Sequence, residues 1–369
     1  MSNNRRFIYG ALFISIIAAL SVGAYIMYQH FFVKPSARYS DTNTVGTVLQ
    51  RINPAFNLAT IYMNNHDFAK AKAAYERSLL AAEDSAQEAQ IRFNIARTEE
   101  LLKDGSPALV TLKQIAADER YYPVIRATAV QEIAMMRTAF PLGDDALEDI
   151  FKGEPYASFR EGVGERVAYA KLFEYATSIH PLSLSYAFAA YLRAEELRVI
   201  GTTTPEAAAH IDAIRAHLAA TQDDLPRLLA NPNEAISAAR LYRQQAMTIA
   251  LMTELGVPGY SNETAESYFQ RAMNTTSTIG YHSQAFAFQY AVFLVDAYGE
   301  RRADDVRALL SVFTSDKAST VAGSSRDIFA AARTKSSLSD TRSRLVRVAK
   351  VDQAFKAYLI TLGWNESDF

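Results

Sequence analysis

The sequence predicts an all-α protein built of antiparallel helix pairs, preceded by one membrane-crossing helix. Three observations predict this. Phe7 to Tyr28 runs 22 residues without a charge. Beyond it, the chain is rich in Ala, Leu, Glu, Gln and Arg, and apolar residues recur at three and four rather than two. Pro, Gly and Asn clusters then cut it into pieces of helix-pair length.

Residues 1–6 form a short tail carrying Arg5 and Arg6. Residues 7–28, as a helix rising 1.5 Å per residue, would span roughly 33 Å, enough for a bilayer core. A cleaved signal peptide has a shorter apolar run and a small-x-small site. This run exits instead through Tyr25, Met27, Tyr28 and Gln29. A buried core helix is the third reading. The uncleaved anchor is the expectation, with the lipid bilayer as a partner through residues 7–28. Tyr9, Tyr25 and Tyr28 fall near its ends, where aromatic rings favour the headgroup layer. Basic residues flank both sides, Arg5 and Arg6 before and Lys34 and Arg38 after, so charge biases orientation only slightly. The short tail favours a cytoplasmic N-terminus with the body outside the cytoplasm.

Residues 29–43 read as a juxtamembrane linker, with Pro35, Ser36, Ser40, Asp41 and Asn43 as turn formers. Helix boundaries are then expected at Asn53-Pro54, Asn64-Asn65-His66-Asp67, Asp104-Gly105-Ser106-Pro107, Pro141-Leu142-Gly143-Asp144, His180-Pro181, Thr204-Pro205-Glu206, Asn231-Pro232-Asn233-Glu234 and Gly256-Val257-Pro258-Gly259. Lys152 to Gly164 holds three glycines and Pro155, and reads as a longer loop or a boundary. The body therefore divides into repeat-like helices over 44–160 and a further helical region over 161–369.

The segment from Asn57, NLATIYMNNHDFAKAKAAYERSLLAA, resembles a tetratricopeptide repeat. Leu58, Ala59 and Tyr62 match on its first helix, Asp67-Phe68 at the turn, and Ala71, Tyr75 and Leu79 on its second. Small Ala59 and Ala71 let two helices approach closely, and Tyr62, Phe68 and Tyr75 fill the space around them. His66 stands where that family has glycine, Glu83 where it has proline, and the early tryptophan is absent. Ile95-Ala96, Ala108 and Leu112 repeat the spacing 37 residues on, and Ile133-Ala134, Ala146 and Ile150 a further 38 on. Tyr290-Ala291, Leu294, Ala303 and Leu310 show it again near the C-terminus. Residues 165–255 read as helices without a phase. The resemblance implies a right-handed superhelix whose concave groove holds a protein or peptide partner. On the helix from Ala55 to Asn64, it places Asn57, Thr60, Ile61 and Asn64 toward groove or solvent. On the next such helix it points to Arg92, Arg97 and Glu99. Asn57, Asn64 and Arg92 are the candidate partner-binding residues.

Lys and Arg total 38 against 40 Asp and Glu, a net charge of −2. The body is more acidic still without Arg5 and Arg6, so nucleic acid is not an expected partner. Zero cysteines exclude disulfides, thiolate metal sites and cysteine nucleophiles. No phosphate loop, His-Glu-x-x-His motif or Gly-x-Ser-x-Gly elbow occurs, and Gly162-Val163-Gly164 is followed by Val167 where a dinucleotide loop needs glycine. No cofactor is expected. Glu206, His210 and His217 share a helix face that reads as a solvated surface rather than a metal site. The aromatic run Tyr281, Phe286, Phe288, Tyr290, Phe293 and Tyr298 reads as core. Arg301-Arg302 and Arg342, Arg344, Arg347 and Lys350 read as solvated faces. The expected function is a membrane-anchored scaffold or adaptor that is not an enzyme. A small-molecule or glycan-binding module of the cell envelope is the alternative. A helical envelope enzyme of the lytic-transglycosylase kind, which needs a buried glutamate in a cleft, is a second alternative; Glu161 and Glu165 are available to it, though nothing in the sequence singles them out.

The anchor is checked by carbonate extraction: the full chain stays with the membrane, and residues 44–369 alone are soluble. Recovery of the full chain in the wash would remove the anchor.

Overall fold

The computed structural model describes residues 54–102, 105–139, 149–231, 234–278, 284–314, 323–335 and 338–369. The expected anchor, the linker, Asn53, Ala146, Tyr281 and the turn at 141–144 lie outside these. Among the described residues there is no strand, and no helix is long and apolar enough to cross a membrane. The helices are α1 Pro54–Asn64, α2 Phe68–Leu79, α3 Ser85–Leu101, α4 Gly105–Ala117, α5 Pro123–Ala139, α6 Tyr156–Arg160, α7 Glu165–Ile179, α8 Ser183–Ile200, α9 Ala207–Ala230, α10 Ala235–Glu254, α11 Asn262–Thr278, α12 Gln284–Tyr298, α13 Ala303–Thr314, α14 Gly323–Ala332, α15 Ser339–Val351 and α16 Gln353–Thr361. The chain divides into two compact units, the division falling within α5 between Ile125 and Arg126.

In the first unit, α1 packs on α2, α2 on α3 and α3 on α4. The turn between α1 and α2 closes as the sequence signals. His66 takes φ of 58°, the left-handed conformation that favours glycine, and Asp67 caps α2 by accepting from the backbone N–H of Lys70. Asp84 caps α3 through the N–H of Gln87 at 2.8 Å, and the Gln87 side chain accepts from the N–H of Glu83, a reciprocal pair that fixes the start of the helix. Ala59 and Ala71 are fully buried, and Phe56, Tyr75, Ile91 and Ile95 complete the core, with Phe56 edge-on to Tyr75 at 5.4 Å. Ala96, Ala108 and Leu112 are likewise fully buried. Leu58 departs from its expected packing role, at 39% exposed.

The second unit shows why residues 165–255 carry no readable phase. Its helices are long, 18 residues in α8, 24 in α9 and 20 in α10, so equivalent positions drift apart in sequence. α8 packs on α7, α9 and α10, while α10 packs on α9, α11 and α12. α8 and α10 thus form one layer, with α9 lying between them in the chain. Alanines make this approach possible: Ala187, Ala190 and Ala194 on α8 and Ala238, Ala239 and Ala246 on α10 are fully buried. Toward the C-terminus, α12, α13, α15 and α16 enclose an aromatic core. Phe269 stacks on Tyr290 at 5.2 Å, Phe313 lies 5.4 Å from both Phe329 and Phe355, and the Trp364 indole donates to the carbonyl of Phe329 at 3.0 Å. Phe286, Phe288, Tyr290 and Phe293 are buried, as the aromatic run implied. Ala303 is only half-buried, and Val306 takes the enclosed position on α13.

Leucine at Ala59 or Ala71 adds volume where two helices touch. Either substitution is expected to destabilise the protein by about 1–3 kcal/mol, read as a lower midpoint in chemical denaturation. Unchanged midpoints for both would remove the close contact.

Candidate functional site

Of the three candidate partner-binding residues, two lie on α1 and one on α3. Asn57 and Asn64 are half-buried, and the Asn64 side-chain Nδ2 has no hydrogen-bond partner. Arg92 donates through Nε to Glu88 Oε1 at 2.8 Å, and this bond holds the Glu88 carboxyl below its usual range. Arg92 and Glu88 wall a polar cleft of about 310 Å³ with Leu79, Ala82, Glu83 and Asp84. Neither Asn57 nor Asn64 lines it. Arg97 and Glu99, expected on the outward side of α3, are instead buried at 5% and 6%. Glu99 pairs with Lys72 of α2 at 2.8 Å. Its Oε2 and the Oε1 of buried Gln90 lack hydrogen-bond partners. Sequence alone did not mark this because α3 has no single apolar face: it is covered on most of its circumference, polar residues included.

The second unit places two polar clusters on α8. On one side, Arg193 donates from Nε and Nη2 to the two carboxylate oxygens of Glu174 on α7, at 2.5 and 2.8 Å. His217 of α9 meets Glu174 Oε1 at 2.9 Å through Nε2, and Arg193 Nη1 lies 3.2 Å from His210 Nδ1. An arginine only donates, so His210 accepts through Nδ1 and carries its proton on Nε2. Burial raises the Glu174 pKa, but the hydrogen bonds and charges of His217 and Arg193 outweigh it and hold the carboxyl at about 2. Burial, then the Arg193 charge, pushes His210 below its ordinary value. The histidine face of α9 is thus an internal seam, with His217 only 14% exposed, rather than a solvated surface. Glu206 stays exposed at the helix start. Among the described residues, no cluster of His, Cys, Asp and Glu is set to hold a metal.

On another side of α8, buried Glu195 accepts from the Tyr191 hydroxyl at 2.7 Å and from Arg198 at 3.1 Å. Arg166 of α7 and Arg344 of α15 each lie 3.7 Å from it. Burial is the largest cause pushing the Tyr191 phenol up to about 12. Arg347 pairs with Asp296 at 3.0 Å, and Arg342 with Asp368 at 3.3 Å. Of the basic run on α15, Arg342, Arg347 and Lys350 are exposed, as a solvated face implies, while half-buried Arg344 turns toward α8 and departs from that reading. Arg302 likewise reaches Glu266 at 3.0 Å, where the Tyr298 hydroxyl also donates. Arginine in an interleaved charge pattern hides such roles, since its partners lie up to 153 residues away.

No protein-family model matches the chain, and no curated protein matches it in sequence. The geometry of the described residues defines a class: serially packed helix pairs without strands, with ion-paired polar seams between helices.

Glu174 has a depressed pKa in the fold, so its contribution is present above its unfolded value of 4.5 and is lost as pH falls toward 2. His210 is a base held neutral, so acid weakens the same seam from near 6.5 downward. Glu174→Gln is expected to lose on the order of 2–3 kcal/mol at pH 7 and to flatten the acid limb below pH 4.5. Denaturation midpoints between pH 7 and 2 check this. An acid limb identical to wild type would refute it.

Proposed function

We propose that this protein is a membrane-anchored scaffold or adaptor whose tetratricopeptide-like helix pairs bind a protein or peptide at the membrane surface. Residues 7–28 hold it in the bilayer, with the N-terminus cytoplasmic and the body extracytoplasmic. Its role is binding, not catalysis. One observation carries the reading. It is the polar cleft beside Arg92, where Glu83, Asp84 and Glu88 offer acceptors and Arg92 a donor on one open wall. A polypeptide alternates N–H and C=O groups, and so supplies partners for both kinds. The polar cleft beside Arg92 favours the same class of ligand over the small-molecule reading, which calls for a closed apolar pocket.

Pull-down of the body from envelope extract tests this. Replacing Asn57, Asn64 and Arg92 with alanine is expected to reduce partner capture while helicity and melting stay unchanged. Full capture by the folded triple variant would take the binding surface away from α1 and α3.

A further inference from the structure

We infer that Arg166, Arg198 and Arg344 form a carboxylate-binding subsite that takes an Asp or Glu side chain of a polypeptide lying along α8. The inference rests on the scaffold reading for its class of ligand, and on the Glu195 cluster for its place.

Three helices aim guanidiniums at one buried carboxylate, but only Arg198 comes within hydrogen-bond distance of it. The two 3.7 Å separations are too long for hydrogen bonds, and Glu195 Oε1 is already taken by Tyr191. Arg166 makes no hydrogen bond among the described residues, and the one made by Arg344 is to Tyr191 Oη at 3.3 Å. Each guanidinium carries five N–H donors, so most of this set is unspent. The facing carboxylates are Glu195, the exposed Asp340 at 3.9 Å from Arg198, and Asp296, which pairs with Arg347 and also acts on Arg344 and Arg198. Glu196 lies against Gly164 at the foot of α7. The side chains remain reachable, with Arg166, Arg198 and Arg344 at 33%, 36% and 26% exposed. Val199, beside Arg198, adds an exposed apolar edge. Planar forks recognise carboxylates in pairs of bonds, which suits an acidic side chain.

The probe is a labelled oligoglutamate peptide, titrated into the full chain in detergent at low salt and followed by fluorescence anisotropy. Wild type is expected to bind it and to ignore oligoglutamine. Arg166→Gln should weaken binding about tenfold with an unchanged melting temperature. Arg198, which bonds buried Glu195, and Arg344, which is docked in the fold, are left unaltered. No binding, or binding indifferent to Arg166→Gln, overturns the subsite. Displacement by equimolar inorganic phosphate overturns the ligand class, making the site one for phosphate. Pull-down of envelope partners is run in parallel. Partner capture without oligoglutamate binding sinks only this subsite. Arg166-dependent peptide binding without any captured partner sustains the subsite and counts against the scaffold reading.

Discussion

Close approach of helices through alanine is the constraint on which the rest of this structure depends. Ala59 against Ala71, and the alanines of α8 against those of α10, are fully enclosed. A helix pair this close has little room between its axes, so larger side chains are displaced to the flanks of the contact. There they build the core: Phe56 and Tyr75 beside the first pair, and the Phe269, Tyr290 and Phe293 cluster in the C-terminal one. The same closeness buries whatever polar residues fall beside the alanines. Glu99, Glu195, Gln244 and Gln245 are enclosed for this reason, and each brings a demand for partners.

How those demands are met separates the two sides of α8. Arg193 spends its donors on Glu174 and His210, and Glu174 in turn holds His217. Charge and hydrogen bonds nearly close there, and the seam ties α7, α8 and α9 together. Around Glu195 the hydrogen bonds do not close: two of the three guanidiniums stand beyond hydrogen-bond distance. A buried carboxylate paired with one arginine is a structural device; a carboxylate ringed by three with donors to spare also serves as a scaffold for holding those arginines in place.

Legibility in the sequence followed the type of physical signal. Helix ends were readable because capping and turn chemistry are local: Asp67 caps α2, and Gly256 and Gly259 take the positive φ of the stop after α10. Helix pairing was readable where the spacing of small residues is short, as at Ala59 and Ala71. It was lost where helices lengthen, as in α9, because the interval between equivalent alanines then varies. The polar clusters were the least legible. Arg344 and Tyr191 are far apart in the chain, and no local pattern distinguishes an arginine that docks a helix from one that faces water. His210 and His217 were visible as one face of α9, but which way that face turned depends on Glu174 and Arg193, which lie on two other helices.

The polar residues of α3 show what this implies for the first unit. An amphipathic helix announces which face it buries, but α3 buries Gln87, Gln90, Arg97, Thr98, Glu99 and Glu100 along with Ile91, Phe93 and Ile95. Burial of that composition is costly unless each polar atom is paired, and the Lys72 bond to Glu99 satisfies only one of its oxygens. A helix serving packing alone would carry leucine or alanine at such positions without that cost. Retaining polar groups there ties α3 to one neighbour in one register, as the Lys72 bond to Glu99 does with α2.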